Sequence, residues 1–260
     1  MTDIQDLRQR LLRKIQETQS RWWEINRTLF DHPELSNEEF ESCKLLASAA
    51  ERESFKVSFG QSGLPTAFRA ELKGSSPGPT VAFLAEYDAL PGIGHGCGHN
   101  FIGTCGTFAA IAFADIVREL PGRVVLLGTP AEETFGGKIA MLEQGEFDDV
   151  DFALMIHPSI ETTGHYKSVA CYPLEIEFHG KTAHASAAPW KGINALDALI
   201  QTFVAIDGLK RQLRPTVRVP GIITYGGDRA NIIPDRAVGQ WSLRAESVEE
   251  LHLLLEKVLN

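Results

Sequence analysis

Residues 80–88 read TVAFLAEYD, a short apolar run that ends in two carboxylates. Two similar runs follow, RVVLLGTP at 123–130 and DFALMIHP at 151–158, and segments compatible with helices lie between the runs at 102–120 and 138–144. Near-continuous apolar strands that alternate with helices are typical of a parallel sheet covered on both faces. The sequence therefore predicts an α/β fold built on a mostly parallel sheet.

Two helices are expected upstream of these strands. Apolar residues recur at helical spacing from Ile4 to Leu29, and the pattern stops before Pro33, because proline disfavours helix in the residue before it. Ser36 followed by Glu39 matches a capping box at the start of a second helix. The apolar side of that second helix would include Phe40, Cys43, Leu46 and Ala50.

The chain changes character after about residue 168. The sequence CYPLEIEFHGK alternates like a half-exposed strand, 193–213 predicts a helix, and VRVPGIITYGG and ANIIPDRAVGQWSLRAE predict two further strands. We therefore expect two domains: residues 1–167, which contain the mostly parallel sheet, and residues 168–260, a second and smaller α/β domain.

Composition restricts the class of partner. The 260 residues are 43% hydrophobic and 23% charged, as in an ordinary soluble protein, and their net charge of −9 argues against nucleic acid or an anionic membrane surface. A small-molecule ligand is therefore favoured. No apolar run approaches the roughly 20 residues of a membrane span, and the N-terminal sequence MTDIQDLRQR lacks the apolar core of a secretory signal. We expect a cytoplasmic protein.

The four cysteines do not suggest a disulfide framework in a chain of 260 residues. Cys97 stands in a glycine-rich turn beside histidines, and in a reducing compartment such a thiol more often ligates a metal. We expect the other three, Cys43, Cys105 and Cys171, to be packing residues.

Polar side chains follow all three apolar runs. Glu86 and Asp88 end the first run, Glu132 and Glu133 come just after the second, and His157 follows the third. Because ligands bind at the carboxyl ends of strands in such sheets, we expect these side chains to converge on one edge.

The turn between the first run and the next helix adds further metal-binding residue types. Residues 86–100 read EYDALPGIGHGCGHN. Glycine has no side chain to pack, so we expect the side chains between these glycines to point into a site rather than into the core. Cys97 and His99 would face the same way in extended backbone, whereas His95 is left out of the ligand set as a spacer. A thiolate, imidazoles and carboxylates suit zinc, cobalt, nickel or manganese, and are too oxygen-poor for calcium.

Each of these features alone has a structural explanation that often holds. A lone Cys-x-His rarely ligates metal, an acidic pair is usually a solvated surface, and a histidine after a strand is commonly a hydrogen-bonded core residue. Their convergence on three independent strand ends favours a metal site.

Five segments of the sequence form a recognisable set: EYDALPGIGHGCGHN, HPELSNEE, GTPAEE followed by GGK, the MIHP turn, and GKTAHASAAPWKGINALDA. Together they resemble metallopeptidase family 20. They occur in family order and spacing through almost the whole chain, and they are most similar to the amidohydrolase branch with N-acyl-amino-acid and aminobenzoyl-glutamate hydrolases. The resemblance implies a two-metal hydrolase of amide bonds. The version of the first motif that opens with EYD resembles the subgroup acting on small dipeptides and aminobenzoyl-glutamate.

The resemblance also implies roles for individual residues of the first domain. This domain, 1–167, would be the N-terminal part of a zinc-peptidase-like catalytic domain that holds two divalent metal ions. Glu132 would be the general base. The metal ligands would be Cys97, His99, Glu133 and His157. Apart from the resemblance, we expect Asp88 to orient a metal ligand, because ligands of metals are usually held by further hydrogen bonds.

The second domain, 168–260, would be the lid that carries the contact of a homodimer. By the same resemblance, His184 would reach into the partner's active site and stabilise the oxyanion of the tetrahedral intermediate, and Asn231 would hold the substrate's carboxylate. Without this resemblance, we would interpret His184 as a turn residue that caps the following helix.

The end of the sequence departs from the family pattern. Family members return from the lid to the catalytic domain and supply one more histidine ligand there, whereas this sequence ends at Asn260, within a predicted lid helix. We therefore expect a fragment, a truncated reading frame or part of a longer sequence, and we expect residues 1–260 alone to bind at most one metal tightly and to lack amidase activity. Two other classes stay open: a catalytically inactive fragment or binding module of the same fold, and a cysteine hydrolase that uses Cys97 with His99.

Overall fold

The computed structural model describes residues 3–134, 136–164 and 168–260. The chain forms two compact units, unit 1 at Met1–Thr162 and unit 2 at Thr163–Asn260. The domain boundary that we predicted after residue 167 adjoins residues 165–167, which lie outside the described ranges.

The described residues of unit 1 form four α-helices and five strands. The helices are α1 (Ile4–Asp31), α2 (Phe40–Glu51), α3 (His99–Val117) and α4 (Gly137–Glu143). The strands are β1 (Lys56–Phe59), β2 (Phe68–Lys73), β3 (Ser76–Ala85), β4 (Pro121–Gly128) and β5 (Phe152–Leu154).

The five strands form one sheet in the order β1-β2-β4-β3-β5. The three strands that the sequence predicted form its parallel part, because β3 pairs in parallel with both β4 and β5. Strands β1 and β2 were not predicted, and β2 pairs antiparallel with both β1 and β4. The α/β fold is therefore confirmed, with a mixed sheet whose parallel half positions the candidate site.

Helices cover both faces of this sheet. Val124 and Leu126 of β4 pack with buried residues of α1, α2 and α3, whereas Val125 and Leu127 pack with Met141 of α4. Successive side chains of a strand point to opposite faces, so two apolar cores lie on the two sides of β4.

Gly103 and Gly106 allow α3 to lie very close to the end of β3. A Cβ atom at Gly106 would be 2.2 Å from the carbonyl oxygen of Leu84, and one at Gly103 would be 2.7 Å from the carbonyl oxygen of Glu86. Both distances are shorter than real Cβ contacts, so this packing requires glycine at both positions.

Helix α3 also corrects one expectation from the sequence. Among the described residues it is long and apolar enough to cross a membrane, by length and composition alone, although we expected no apolar run of that length. However, 72% of its apolar window is buried inside the protein. In unit 1 it is a core helix.

The start of α2 differs from the predicted capping box. Glu39 occupies the N-cap position but makes no side-chain capping bond. The carboxylate of Glu34 caps the helix instead, because it accepts hydrogen bonds from the amides of Glu41 at 3.1 Å and Ser42 at 2.7 Å. The capping box of Ser36 and Glu39 is therefore wrong, and both side chains bond elsewhere in unit 1.

Apolar packing of α1 and α2 largely follows the prediction. Helix α1 ends at Asp31, two residues before the proline that was expected to stop it. In α2, Cys43, Leu46 and Ala50 are buried as expected, whereas 47% of Phe40 is exposed.

Unit 2 contains the predicted strand, helix and two further strands, followed by a second helix. The elements are β6 (Ala170–His179), α5 (Ala195–Lys210), β7 (Gly221–Tyr225), β8 (Arg236–Ala245) and α6 (Val248–Leu259). The antiparallel sheet has the order β6-β8-β7. Its core includes Leu199 of α5, Trp241 and Leu243 of β8, and Leu251 of α6.

One of the three cysteines that we expected to be packing residues, Cys171, does not have that role. All four are free thiols; Cys43 is buried and Cys105 is half-buried, but Cys171 is exposed. The Sγ atom of Cys171 lies 3.3 Å from Oγ of Ser242 on the neighbouring strand β8. The expectation that Cys171 is a packing residue is therefore wrong.

Candidate metal centre

Asp88 is the most strongly hydrogen-bonded residue at the end of β3. Its Oδ2 atom accepts hydrogen bonds from Ser36 Oγ at 2.7 Å and from the Glu133 amide at 2.9 Å, and Oδ1 lies 3.0 Å from Nδ1 of His99. Burial alone would raise the pKa of Asp88, but these three bonds lower it to about 2. Asp88 is therefore an ionised carboxylate that ties three segments of unit 1 together.

This contact also fixes the orientation of His99, the first residue of α3. With Nδ1 bonded to Asp88, the Nε2 atom points to the opposite side, where its lone pair is available to a ligand. Burial would lower the pKa of His99, but the bond to Asp88 and the nearby carboxylates of Glu86 and Glu133 raise it. The site thus places several carboxylates around one imidazole of fixed orientation.

Three carboxylates face Nε2 of His99. The distances are 3.5 Å to Glu86 Oε2, 3.8 Å to Glu133 Oε1 and 3.9 Å to Glu132 Oε2. These residues come from the ends of β3 and β4, as the sequence predicted for the acidic residues that follow the apolar runs.

His157 completes the group from the third strand end. It is exposed, its ring centroid is 6.1 Å from that of His99, and its Nδ1 atom lies 2.8 Å from the Pro158 carbonyl oxygen. Glu86, His99 and His157 each offer a ligand atom within 4.8 Å of the others, and so do His99, Glu132 and Glu133. Two potential donor groups therefore share His99.

Cys97 lies beside Glu133 rather than in either of those two donor groups. A hydrogen bond to the Glu133 carboxylate, together with burial and the nearby negative charges, raises the pKa of the Cys97 thiol to about 11. The thiol is therefore protonated at neutral pH when no cation is near it, and binding of a cation would favour its thiolate.

The donor atoms fit a divalent metal ion. Oε2 of Glu86 and Oε1 of Glu133 are buried and have no hydrogen-bond partner among the described residues. Leaving a buried carboxylate oxygen unpaired is costly, so a cation between these groups would stabilise them. Imidazole, carboxylate and thiol ligands are those used by zinc and related metals.

Glu132 differs from Glu133 in its environment. Its side chain is 45% exposed, and partial burial and the charge of Glu86 raise its pKa. The Glu133 side chain is only 18% exposed, and its amide is held by Asp88. The pair therefore consists of one anchored carboxylate and one that is more accessible to solvent.

Sequence reasoning missed three contributors to this arrangement. Glu86 was noted at the strand end but not included among the ligands, and the structure places it against both His99 and Lys138, with which it forms an ion pair. Ser36 and Glu39 were interpreted as helix-capping residues. The position of Glu86 at the end of β3 was the available signal for the first, whereas the partners of Ser36 and Glu39 are too distant in sequence to be recognised.

The two predicted site residues of unit 2 lie in adjoining loops. The Ala185 amide donates to the Asn231 carbonyl oxygen at 3.0 Å, so backbone pairing joins these loops. The His184 Nδ1 atom accepts from the amides of Ser186 and Ala187, both at 3.2 Å, as in the turn-capping alternative. Both His184 and Asn231 are exposed, and their functional roles stay predictions.

Comparisons with known proteins agree with this architecture. Residues 173–260 match the family model of the peptidase dimerisation domain of M20 proteins. The chain is 40% identical to the Xaa-Arg dipeptidase of Mus musculus over 98% of this chain and 62% of that protein. It is 32% identical to thermostable carboxypeptidase 1 of Saccharolobus solfataricus, over 92% of this chain and 67% of that protein.

A solved structure shows the same fold. A Bacillus subtilis protein described as a dinuclear metal binding peptidase from the M20 family aligns with a TM-score of 0.68 and 25% identity, over 94% of this chain and 68% of that one. The present chain thus spans 62% of the length of the mouse dipeptidase and about two thirds of the other two proteins. The sequence motifs, the fold and these similarities show that the chain belongs to the M20 family of peptidases.

Proposed function

We infer that the complete protein is a metal-dependent hydrolase of amide or peptide bonds in small N-acyl amino acids or dipeptides. The observation that carries this inference is the convergence of three carboxylates on Nε2 of His99, in which two buried carboxylate oxygens have no hydrogen-bond partner among the described residues. Similarity to a protein named Xaa-Arg dipeptidase supports dipeptides as substrates. The proposed location is the cytoplasm.

Two divalent ions, zinc or manganese, are the proposed cofactors, with cobalt and nickel as alternatives. Similarity to a dinuclear metal binding peptidase supports the number of ions. The proposed ligands within this chain are Cys97, His99, Glu133 and His157. Glu86 is a further candidate because its unpaired oxygen faces His99. When bound, such ions supply the Lewis-acid chemistry that amide hydrolysis requires.

The proton transfers are assigned to Glu132. A general base works best when its pKa lies near the operating pH, and the pKa of Glu132 is raised by burial and by Glu86. In this proposal Glu132 accepts a proton from the attacking water and later donates it to the leaving amine. Asp88 keeps Nε2 of His99 directed to the ligand side throughout.

Unit 2 is proposed to mediate a homodimer. The match of residues 173–260 to the peptidase dimerisation domain supports this assignment. We extend it to His184 as an oxyanion-stabilising residue that acts in the partner's site, and to Asn231 as a residue that binds the substrate's carboxylate. The contact between their loops would let the two residues act on one substrate.

Metal analysis joined to a hydrolysis screen tests the function. The complete protein is purified, its metal content is measured, and turnover of N-acyl amino acids and dipeptides is followed before and after chelation. We expect bound divalent metal, turnover of at least one substrate, loss of turnover on chelation and recovery when zinc or manganese is returned.

Two outcomes would contradict the proposal. Turnover that survives chelation but is lost on thiol alkylation would indicate a cysteine hydrolase, which the raised pKa of Cys97 disfavours. Metal binding without turnover of any substrate in the screen would indicate a non-catalytic binding module.

A further inference from the structure

Ala131, directly before the two glutamates, has an unusual backbone conformation. Its φ is +56°, in the left-handed region that residues with a Cβ atom rarely adopt, and it is fully buried. Such a conformation persists only where the surrounding structure fixes it. The carbonyl oxygen of Ala131 accepts from the amides of Gly136 and Gly137, at 3.1 and 3.2 Å. Its own amide must be held from another direction.

That amide is held by Glu39, 92 residues earlier in the chain. Oε1 of Glu39 accepts from the Ala131 amide at 2.8 Å, and Oε2 accepts from Oγ1 of Thr66 at 2.9 Å. None of the Glu39 side chain is exposed, and no lysine or arginine among the described residues forms an ion pair with it. A buried carboxylate without a cation is costly, so its two hydrogen bonds need a role that justifies its presence.

The partner on the other side of Glu39 is itself fixed by the core. Thr66 is 1% exposed, and its carbonyl oxygen accepts from the hydroxyl of Tyr87 at 2.6 Å. Tyr87 is fully buried and lies between Glu86 and Asp88, the two carboxylates that follow β3. The Glu39 carboxylate therefore connects the turn at Ala131 to the strand end that carries the candidate metal centre.

Glu132 consequently lies between two anchored amides. The amide before it, that of Ala131, is bonded to Glu39, and the amide after it, that of Glu133, is bonded to Asp88. Asp88 also accepts from Ser36. The segment from Ser36 to Glu39 thus supplies contacts to both anchors.

We propose that Glu39 is a positioning residue for hydrolysis: its carboxylate holds Ala131 in the left-handed conformation and thereby sets where Glu132 lies relative to His99. The catalytic part of this inference rests on the proposed function, because it takes Glu132 as the base. The backbone part rests only on the contacts of Glu39.

The variants Glu39→Met and Glu39→Gln test the backbone part and the catalytic part of the inference in separate measurements. Methionine has a similar length but no acceptor for the Ala131 amide, whereas glutamine keeps an oxygen that can accept from it. Glu38→Gln is the matched control, because Glu38 is the exposed neighbour. The first measurement is hydrogen exchange across residues 129–137 in the complete, metal-loaded protein.

Glu39→Met should accelerate exchange in that segment by roughly tenfold or more, since its anchoring bond is lost. Glu39→Gln should stay near the wild type, and Glu38→Gln should match it. Unchanged exchange in a folded Glu39→Met protein would overturn the proposal. This measurement needs no turnover, so it decides the backbone part even if the protein proves not to be a hydrolase.

Kinetics decide the catalytic part. Glu39→Met should lower kcat by about 10²-fold, as expected for a displaced catalytic group, with metal content and KM unchanged. Adding Ala131→Gly should restore part of kcat, because glycine adopts the left-handed conformation without help. Faster exchange with an unchanged kcat would overturn the positioning role.

A second variant covers the case in which Glu39→Met does not fold. Thr66→Val removes the other hydrogen bond to the Glu39 carboxylate and keeps the side-chain volume. It should give the same pattern to a smaller extent, with faster exchange across 129–137 and a lower kcat at constant metal content. Wild-type exchange and kcat in Thr66→Val would then overturn the proposal.

Discussion

The carboxylates near the sheet edge of unit 1 fall into two groups that differ in hydrogen bonding. Both oxygens of Glu39 and both oxygens of Asp88 have polar partners. Glu86 and Glu133 each have one buried oxygen without a hydrogen-bond partner among the described residues. Burial alone does not define the groups, because Glu86 is as buried as Glu39 and Asp88, all less than 3% exposed, whereas the Glu133 side chain is 18% exposed.

This difference assigns the two groups to different tasks. A buried carboxylate whose two oxygens both accept hydrogen bonds needs no further partner. It holds the groups that donate to it, as Glu39 holds the Ala131 amide. A carboxylate with a buried oxygen that lacks a hydrogen-bond partner stays costly until a cation approaches that oxygen. Paired carboxylates therefore shape the site, and incompletely paired ones are available to bind metal.

The largest expected effect concerns Glu132, the most exposed acidic residue around His99. Glu132→Gln in the complete protein should lower kcat by roughly 10²- to 10⁴-fold while metal content stays unchanged, because a general base is lost and no ligand is removed. Steady-state kinetics with metal analysis measure both. The control is Glu143→Gln, at an exposed position of α4.

A combined loss of metal and activity in Glu132→Gln would place Glu132 among the ligands instead. Retained activity would remove it from the mechanism. Only the loss of metal would change the division between shaping and metal-binding carboxylates, because it would add Glu132 to the second group.

The next effect concerns the ion pair between Lys138 and Glu86. Lys138→Met leaves the buried Glu86 carboxylate without its cation, and should lower the free energy of unfolding of the metal-free protein by about 2 kcal/mol. Saturating zinc should reduce this difference, because a bound cation stabilises the carboxylate only in the folded state. Urea denaturation with and without zinc measures both quantities.

Lys44→Met is the control for that comparison, since Lys44 pairs with Glu41 at the surface. It should leave stability almost unchanged with or without zinc. If zinc does not reduce the difference in free energy of unfolding between Lys138→Met and the wild type, Glu86 does not belong to the metal-binding group.

The smallest effect concerns Glu53, which forms ion pairs with two cationic residues of α1 and has none of the contacts of the candidate metal centre. Its carboxylate contacts Lys14 Nζ at 3.0 Å and Arg21 Nη2 at 2.8 Å, and it is 20% exposed. Burial would raise the pKa of Glu53, but the bonds to Arg21 and Lys14 lower it. Glu53→Gln should destabilise the protein by about 1 kcal/mol at pH 7, without a change in metal content or kcat.

The pH dependence of the stability lost in Glu53→Gln follows from the lowered pKa of Glu53. A carboxylate whose pKa is lower in the folded state contributes stability above its ordinary pKa of 4.5, and loses it as the pH falls through the folded value. The difference between wild type and Glu53→Gln should therefore shrink below about pH 4.5. A constant difference from pH 7 to pH 3 in thermal denaturation would contradict the ion-pair explanation.

Sequence patterns predicted the parallel half of the sheet because its strands are continuous apolar runs. Strands β1 and β2 were missed because KVSF and FRAELK are short and mix charged with apolar residues. We expected the polar side chains that follow β3, β4 and β5 to lie at one edge of the sheet. The side chains of Glu86, Glu132, Glu133 and His157 do lie around His99.

The roles of Ser36 and Glu39 could not be predicted from local sequence. Their spacing fits a capping box, but their actual partners, Asp88 and Ala131, are 52 and 92 residues away. A pattern of four residues gives no information about such distant partners. The fold had to be known before either side chain could be placed.

The close approach of α3 to β3 decides which substitutions this part of the chain tolerates. By intrinsic helix propensity, alanine is preferred to glycine in a helix interior by about 1 kcal/mol. At Gly103 and Gly106 this preference is reversed, because a methyl group would collide with the strand backbone near Glu86. A search for stabilising mutations based on propensity would select these two glycines, and replacing them would move His99, at the start of the same helix, away from the carboxylates it faces.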